Sequence, residues 1–265
     1  MYAFKYHKPS SIEDAAKVFS GADDARYLSG GHTLLPSMKL RLAGPSDIVD
    51  LSGIAGLKGI KVEADKVTIG AGTRHNDVAL SAEVRAAIPA LADLAGGIGD
   101  FQVRNRGTIG GSIANADPSA DYPAAVVGLG ATVHTNKRTI AGDDFFTGMF
   151  ETALEDGEIV TAVSFPRPKR AAYMKFPNPA SRYAVVGVMV AETASGMRVA
   201  VTGAAASVFR VAEMEQALAS NFSPDAIAGV AVPADNLNSD IHAAADYRAH
   251  LVGVMAKRAV AKAAG

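Results

Sequence analysis

Thr108-Ile109-Gly110-Gly111-Ser112-Ile113-Ala114-Asn115-Ala116-Asp117-Pro118-Ser119-Ala120-Asp121 is the stretch on which the reading of this chain turns. Two glycines, several hydroxyl donors, an asparagine and two aspartates fall within fourteen residues. Neutral donors of this kind suit phosphate oxygens, and a carboxylate suits a ribose or ribityl hydroxyl. A surface loop held by Asx and Ser/Thr turns would explain the polar residues alone. The apolar residues on both flanks, the run Tyr122 to Val133 among them, argue against a free loop and for a segment seated on a core.

A second glycine loop, Ser29-Gly30-Gly31-His32-Thr33, lies upstream. Arg26-Tyr27-Leu28 before it reads as a strand. Leu34 to Leu42 after it has helical spacing, with Leu34, Leu35, Met38 and Leu42 on one side. Paired glycines let backbone N–H groups approach an anion, and a helix N-terminus adds a favourable field, so a diphosphate fits there. A plain turn that needs positive φ is the simpler explanation of one Gly-Gly pair. Neither loop matches the P-loop pattern or the G-x-G-x-x-G fingerprint. Two separated glycine loops without a phosphate lysine suit a tightly held dinucleotide better than a triphosphate undergoing hydrolysis.

Outward from these loops the chain divides into three textures. Ser10 and Glu13 form a capping-box pattern for a helix to about Phe19, and Ile48 to Leu51 is a strand, which makes residues 1–57 a β-α-β lobe. Residues 58–168 form a mixed antiparallel lobe. Ile60 to Glu63 and Lys66 to Ile69 alternate as a hairpin, Asn76 to Ala95 is helical with a break near Pro89, and Gly157 to Phe165 is a strand. Pro166 to Arg170 marks a boundary, and residues 171–265 form a second domain. Its strands are Tyr173 to Phe176, Tyr183 to Glu192 and Met197 to Gly203, with a last helix from about Ala243 to Ala263.

Composition narrows the function. The chain has 265 residues, 26 basic against 27 acidic side chains, and no long run of either sign, which disfavours a nucleic-acid surface. Zero cysteines exclude disulfides, thiolate zinc sites and iron–sulfur ligation within the chain. The polar, aromatic start lacks a secretory pattern and no stretch is long and apolar enough to span a bilayer, so a cytoplasmic location is expected. The six histidines lack metal-ligand spacing, most read as surface or loop positions, and no metal site is expected.

Three segments together are specific: Gly30 to Lys39, Gln102 to Gly111, and Ala114 to Asp121. They resemble the flavin-binding medium subunit of the xanthine dehydrogenase and aerobic carbon monoxide dehydrogenase family of molybdenum hydroxylases. Asp246-Tyr247-Arg248 and Val254 to Val260 resemble that family's closing helix, so the likeness runs in order over essentially the whole chain. The resemblance implies an α+β protein: the two-lobed FAD-binding fold of p-cresol methylhydroxylase and vanillyl-alcohol oxidase, then a C-terminal three-stranded antiparallel sheet with helices. It implies FAD at Ser29, Gly30, Gly31, His32, Thr33, Leu34, Thr108, Ile109, Gly110, Gly111, Ser112, Ala114, Asn115, Asp117, Asp121 and Val160, with the two loops on the pyrophosphate, Asp121 on a cofactor hydroxyl and Val160 lining the flavin pocket. Lys175 and Tyr183 would stand near the flavin ring; read from the residues alone, both are strand positions with exposed polar tips. Ser112 stands where the family usually has asparagine, and Ser181-Arg182 precede Tyr183 in place of Gly-Asp.

The resemblance further implies a large molybdopterin subunit and a small [2Fe-2S] subunit as partners in a dimer of heterotrimers, with quinone or NAD as external acceptor. It is compatible with attachment to the inner face of the membrane through the complex. A self-contained flavin oxidase or reductase of the same fold, and a non-catalytic nucleotide-binding protein, are the competing readings.

Overall fold

The computed structural model describes residues 1–265. The N-terminal lobe is a small parallel sheet. β1 (Lys5–His7), α1 (Ile12–Ser20), β2 (Ala25–Leu28), α2 (Leu34–Lys39) and β3 (Asp47–Asp50) follow one another, and the strand order is β1-β3-β2. β3 is buried along its length because it is the middle strand. Ala15, Ala25, Val49, Ile54 and Leu57 form the core under α1. Three details differ from the sequence expectation. The cap of α1 is Ser11, whose hydroxyl accepts from the Asp14 N–H, not Ser10. β1 is an added strand. α2 ends at Lys39, and Leu42 lies exposed beyond it, because Met38 alone in that helix reaches the core.

The middle lobe holds a five-stranded antiparallel sheet and a layer of helices. β4 (Ile60–Val62) and β5 (Lys66–Gly70) form the expected hairpin. The helical segment after it is three helices rather than two: α3 (His75–Leu80), α4 (Ala82–Ala87) and α5 (Pro89–Gly96). Pro89 starts α5, where its missing N–H costs nothing. The extra break falls at Ser81, whose hydroxyl caps α4 through the Val84 N–H. Next come α6 (Phe101–Arg104), α7 (Ile109–Asn115), α8 (Tyr122–Gly128), β6 (Thr132–Thr135), β7 (Thr139–Ala141), α9 (Gly142–Phe145), the small hairpin β8 (Phe146–Gly148) and β9 (Glu151–Thr152), and β10 (Val160–Pro166). The sheet order β4-β5-β10-β6-β7 puts β10 at the centre, so the last strand made joins two earlier hairpins.

The C-terminal part comprises β11 (Arg170–Pro177), β12 (Ala184–Thr193), β13 (Gly196–Thr202), β14 (Phe209–Arg210), α10 (Ala212–Ser220) and α11 (Ala245–Ala264). The sheet has four strands where three were expected. β14 contributes only two residues to its edge, too short a signal to stand out in the sequence. β12 is buried on both faces, and residues alternate between them. Val186, Val188 and Val190 meet the core under α11, whereas Met189 and Ala191 join the core of the middle lobe. Leu251, Val252, Met255, Ala256, Ala259 and Val260 give α11 one apolar stripe at helical spacing. The largest of these each stabilise by about 1.5–3 kcal/mol when fully buried.

Candidate functional site

Both glycine loops reach the same place. Ser29, at the end of β2, and Thr108, at the start of α7, join through their hydroxyls at 2.8 Å. Gly30 lies so close to the second loop that a Cβ would fall 2.5 Å from the Arg106 carbonyl oxygen and 2.7 Å from the Gly107 Cα. Glycine at position 30 is therefore a packing requirement rather than a turn preference. Gly31 has φ +77° and meets the conformational requirement as well.

The loops have different chemistry. The N–H groups of five consecutive residues, Gly30 to Leu34, donate to no backbone acceptor, forming a concave row of donors. In the second loop the donors are already used: Gly110 N–H donates to Ala71 O at 2.8 Å, Gly111 N–H to the Thr108 hydroxyl, and Ser112 N–H to Thr108 O. What the second loop offers is a glycine surface with the side chains of Ser112 and Asn115.

Around the two loops is a cleft of about 720 Å³. Of the residues expected at a site, Ser29, Gly30, Gly31, His32, Thr33, Leu34, Thr108, Gly110, Gly111, Ser112, Ala114, Asn115, Asp117, Asp121, Val160 and Tyr183 line it. Ile109 does not: it is fully buried in the middle-lobe core, as the apolar first turn of α7 requires. Lys175 stands behind the wall, its ammonium bonded to Asp121, to Gly97 O at 2.8 Å and to Arg182 O at 2.9 Å. Its side chain is one-tenth exposed, not the exposed polar tip expected of a strand residue. Tyr183 is not a strand residue either, since β12 starts one position later.

Sequence reading missed a third wall, Ala71, Gly72, Arg74 and His75. Its signal was present in Gly70-Ala71-Gly72, small residues directly after a strand. A single bridge between Arg74 and Thr108 ties this wall to the second loop, with His75 N–H donating to Gly107 O and Ile109 N–H to Thr73 O. Gly110 packs on Ala71 so tightly that a Cβ would come within 2.5 Å of the Ala71 Cβ.

His75 corrects the expectation of surface histidines: it is 5% exposed. Burial, then the charges of His32 and Arg104, push its pKa down to about 4, and the imidazole is neutral. Its Nδ1 and the hydroxyl of Tyr122, whose ring lies 5.4 Å away, are buried without hydrogen-bond partners.

The acidic residues are in unequal states. Burial raises Asp121, against the pull of Lys175 and the Tyr173 hydroxyl, which donates to it at 2.6 Å. Burial also raises Asp117, whose Oδ1 accepts from Ser119 N–H. Glu158 is held down at about 2: burial opposes its charge, but Arg138, the Glu155 N–H and the Thr135 hydroxyl outweigh it. Lys58, Arg74, Arg106 and Arg182 line the cleft and make no ion pair, so four unpaired cationic residues border a cavity with unspent backbone donors. Arg104 has a structural role, donating to Ile98 O and Gly99 O.

Comparison with known proteins identifies the family. Residues 2–168 match the family described as the FAD binding domain in molybdopterin dehydrogenase. The carbon monoxide dehydrogenase medium chain of Hydrogenophaga pseudoflava is 36% identical over 278 residues, covering 97% of this chain and 96% of that one. The nicotine 6-hydroxylase medium subunit of Paenarthrobacter nicotinovorans is 36% identical over 275 residues, with 98% and 97% covered. A chain of the crystal structure of quinoline 2-oxidoreductase from Pseudomonas putida 86 superposes with a TM-score of 0.91 at 29% identity, covering 99% of this chain and 97% of that one. The chain therefore belongs to the FAD-binding domain family of molybdopterin dehydrogenases, an oxidoreductase family, and its cofactor is FAD.

Proposed function

We propose that this chain is the electron-transfer subunit of a molybdenum-containing dehydrogenase, with a carbon monoxide dehydrogenase-like medium subunit as the favoured form. In this reading a large partner oxidises the substrate at a molybdenum pterin and a small partner carries [2Fe-2S] clusters. This chain passes their electrons to an external quinone or NAD. The observation that carries the reading is a row of five unpaired backbone N–H groups, suited to a dinucleotide, in a chain with no cysteine, so that any iron–sulfur clusters feeding it are held by another chain.

The residues present fit FAD. The five free N–H groups from Gly30 to Leu34, with Arg74 and Arg106 close by on the cleft wall, suit a diphosphate. The glycine surfaces at 110 and 111 admit close approach, and Ser112, Asn115 and Asp117 have polar groups for hydroxyls and phosphate oxygens. Ser112, in place of the family asparagine, keeps a donor there with a shorter reach. Val160 gives an apolar wall, and Tyr183, half-exposed at the mouth, controls which acceptor enters. FAD, when bound, accepts electrons singly and releases them in pairs.

The same reading takes the two lobes of residues 1–168 as the p-cresol methylhydroxylase and vanillyl-alcohol oxidase type and residues 171–265 as a separate C-terminal domain. It makes the assembly a dimer of heterotrimers in the cytoplasm, with any contact to the inner face of the membrane made through the complex. No helix is long and apolar enough to cross a membrane.

The test is to capture the tagged chain from its native cell, identify its companions and record the absorption spectrum. A large and a small partner with flavin and iron–sulfur bands are expected. A lone flavin-bound chain that turns over by itself would replace this reading with a self-contained flavoenzyme.

A further inference from the structure

Lys175 and Tyr173 are two residues apart on β11, so both side chains leave the same face of the strand, and both end on Asp121. Gly187, the register partner of Lys175 on β12, leaves room for this, since a Cβ there would fall 2.1 Å from the Tyr173 hydroxyl oxygen. An ammonium has three protons. Those of Lys175 meet three acceptors: the Asp121 carboxylate at 3.0 Å, Gly97 O at the end of α5, and Arg182 O. No donor remains for a ligand.

The third acceptor is the informative one. Arg182 O belongs to the peptide that leads into Tyr183, in the loop between β11 and β12. That loop is folded on Asn178, whose side-chain oxygen accepts the Ala180 and Ser181 N–H groups. Its backbone N–H donates to Tyr183 O, and its carbonyl accepts from Arg182 N–H. Arg182 itself has φ +62°, a conformation a non-glycine residue holds only when its surroundings impose it.

We propose that Lys175 is a positioning residue for Tyr183: anchored by the buried carboxylate of Asp121, its ammonium pins the Arg182–Tyr183 peptide at the cleft mouth and makes no contact with FAD. The inference rests on the reading of Tyr183 as the residue that meets the acceptor, and the tests separate the two.

The first test needs no cofactor. Amide hydrogen exchange is compared in the FAD-free full chain between wild type and Lys175→Met, which keeps the stem and removes the charge. Exchange across residues 178–184 is expected to accelerate at least tenfold while α11 keeps its wild-type protection. Unchanged exchange in the loop, or equal acceleration in α11, overturns the proposal. If Lys175→Met does not fold because Asp121 is left unpaired, Lys175→Met with Asp121→Asn removes that charge as well and is judged by the same comparison.

The second test uses the purified complex with whichever of a water-soluble quinone and NAD supports turnover. Lys175→Met is expected to raise the acceptor KM at least threefold in the wild-type background and to add nothing in a Tyr183→Ala background. Independent, multiplying effects overturn the proposal, because they mean Lys175 does not act through Tyr183. Local loosening of the loop with a Tyr183→Ala enzyme of unchanged acceptor kinetics supports the clamp and discards the acceptor role of Tyr183 alone.

Discussion

Replacing His75 by glutamine removes a buried group that cannot accept a proton without losing its place, and the effect has a calculable pH signature. In the folded chain the imidazole titrates at about 4, against 6.5 when unfolded. Between these values the unfolded chain binds the extra proton, so stability is complete above the unfolded pKa and falls as pH drops toward 4. With those two values the loss is about 0.2 kcal/mol at pH 7 and about 2 kcal/mol at pH 5. Asp117 and Asp121, both raised by burial, act in the opposite sense in part of this window, so the informative quantity is the difference between two proteins. Urea unfolding of the FAD-free wild type and His75→Gln at pH 7, 6 and 5 measures it. The wild type is expected to lose about 2 kcal/mol more than the variant between pH 7 and pH 5. Parallel losses in the two proteins would refute the assignment of a neutral, desolvated His75.

Gly30→Ala places a methyl group against the Arg106 carbonyl, backbone that cannot swing away; overpacking costs about 1–3 kcal/mol, and FAD retention measured by flavin fluorescence falls at least about tenfold. Arg248→Met leaves the buried carbonyls of Val185 and Gly203 without their donor, a loss of about 1–3 kcal/mol for each, seen as a lower midpoint in thermal unfolding with little change in FAD affinity. Tyr183→Phe is expected to change the acceptor's KM or rate more than FAD affinity; equal losses in both would remove its gating role.

Much of this arrangement was legible in the sequence because it is local. Ser29 to Thr33 sits between a strand and a helix within a dozen residues, and the hairpin at 60–69 is complete within ten, so short-range pattern suffices. What escaped is built from distant partners. Lys175 meets Asp121 across 54 positions and Gly97 across 78, and nothing near Lys175 marks it as buried. His75 carries no spacing signal, because its seclusion comes from the Arg74–Thr108 bridge and the bare Gly107 beside its ring. Leu42 misled for the converse reason. Its helical spacing from Met38 is real, but the backbone leaves the helix at Lys39 and the side chain has no core to meet.

The central place of β10 in its sheet bears on the order in which the molecule can be made. The parallel lobe closes within the first fifty residues, so its contacts can form as soon as that length has emerged from the ribosome. The next sheet has no such early option. Its hairpins β4-β5 and β6-β7 share no strand contacts until residues 160–166 arrive to pair with both, and an isolated hairpin is marginal in water. A nascent chain therefore carries the β4-β5 hairpin for roughly ninety residues before the strand that joins it to β6-β7 exists, at about 5–20 residues per second a delay of several seconds or more. Over that interval its half-made edges are open to wrong partners, and slower translation before residue 160 prolongs the risk where faster translation shortens it.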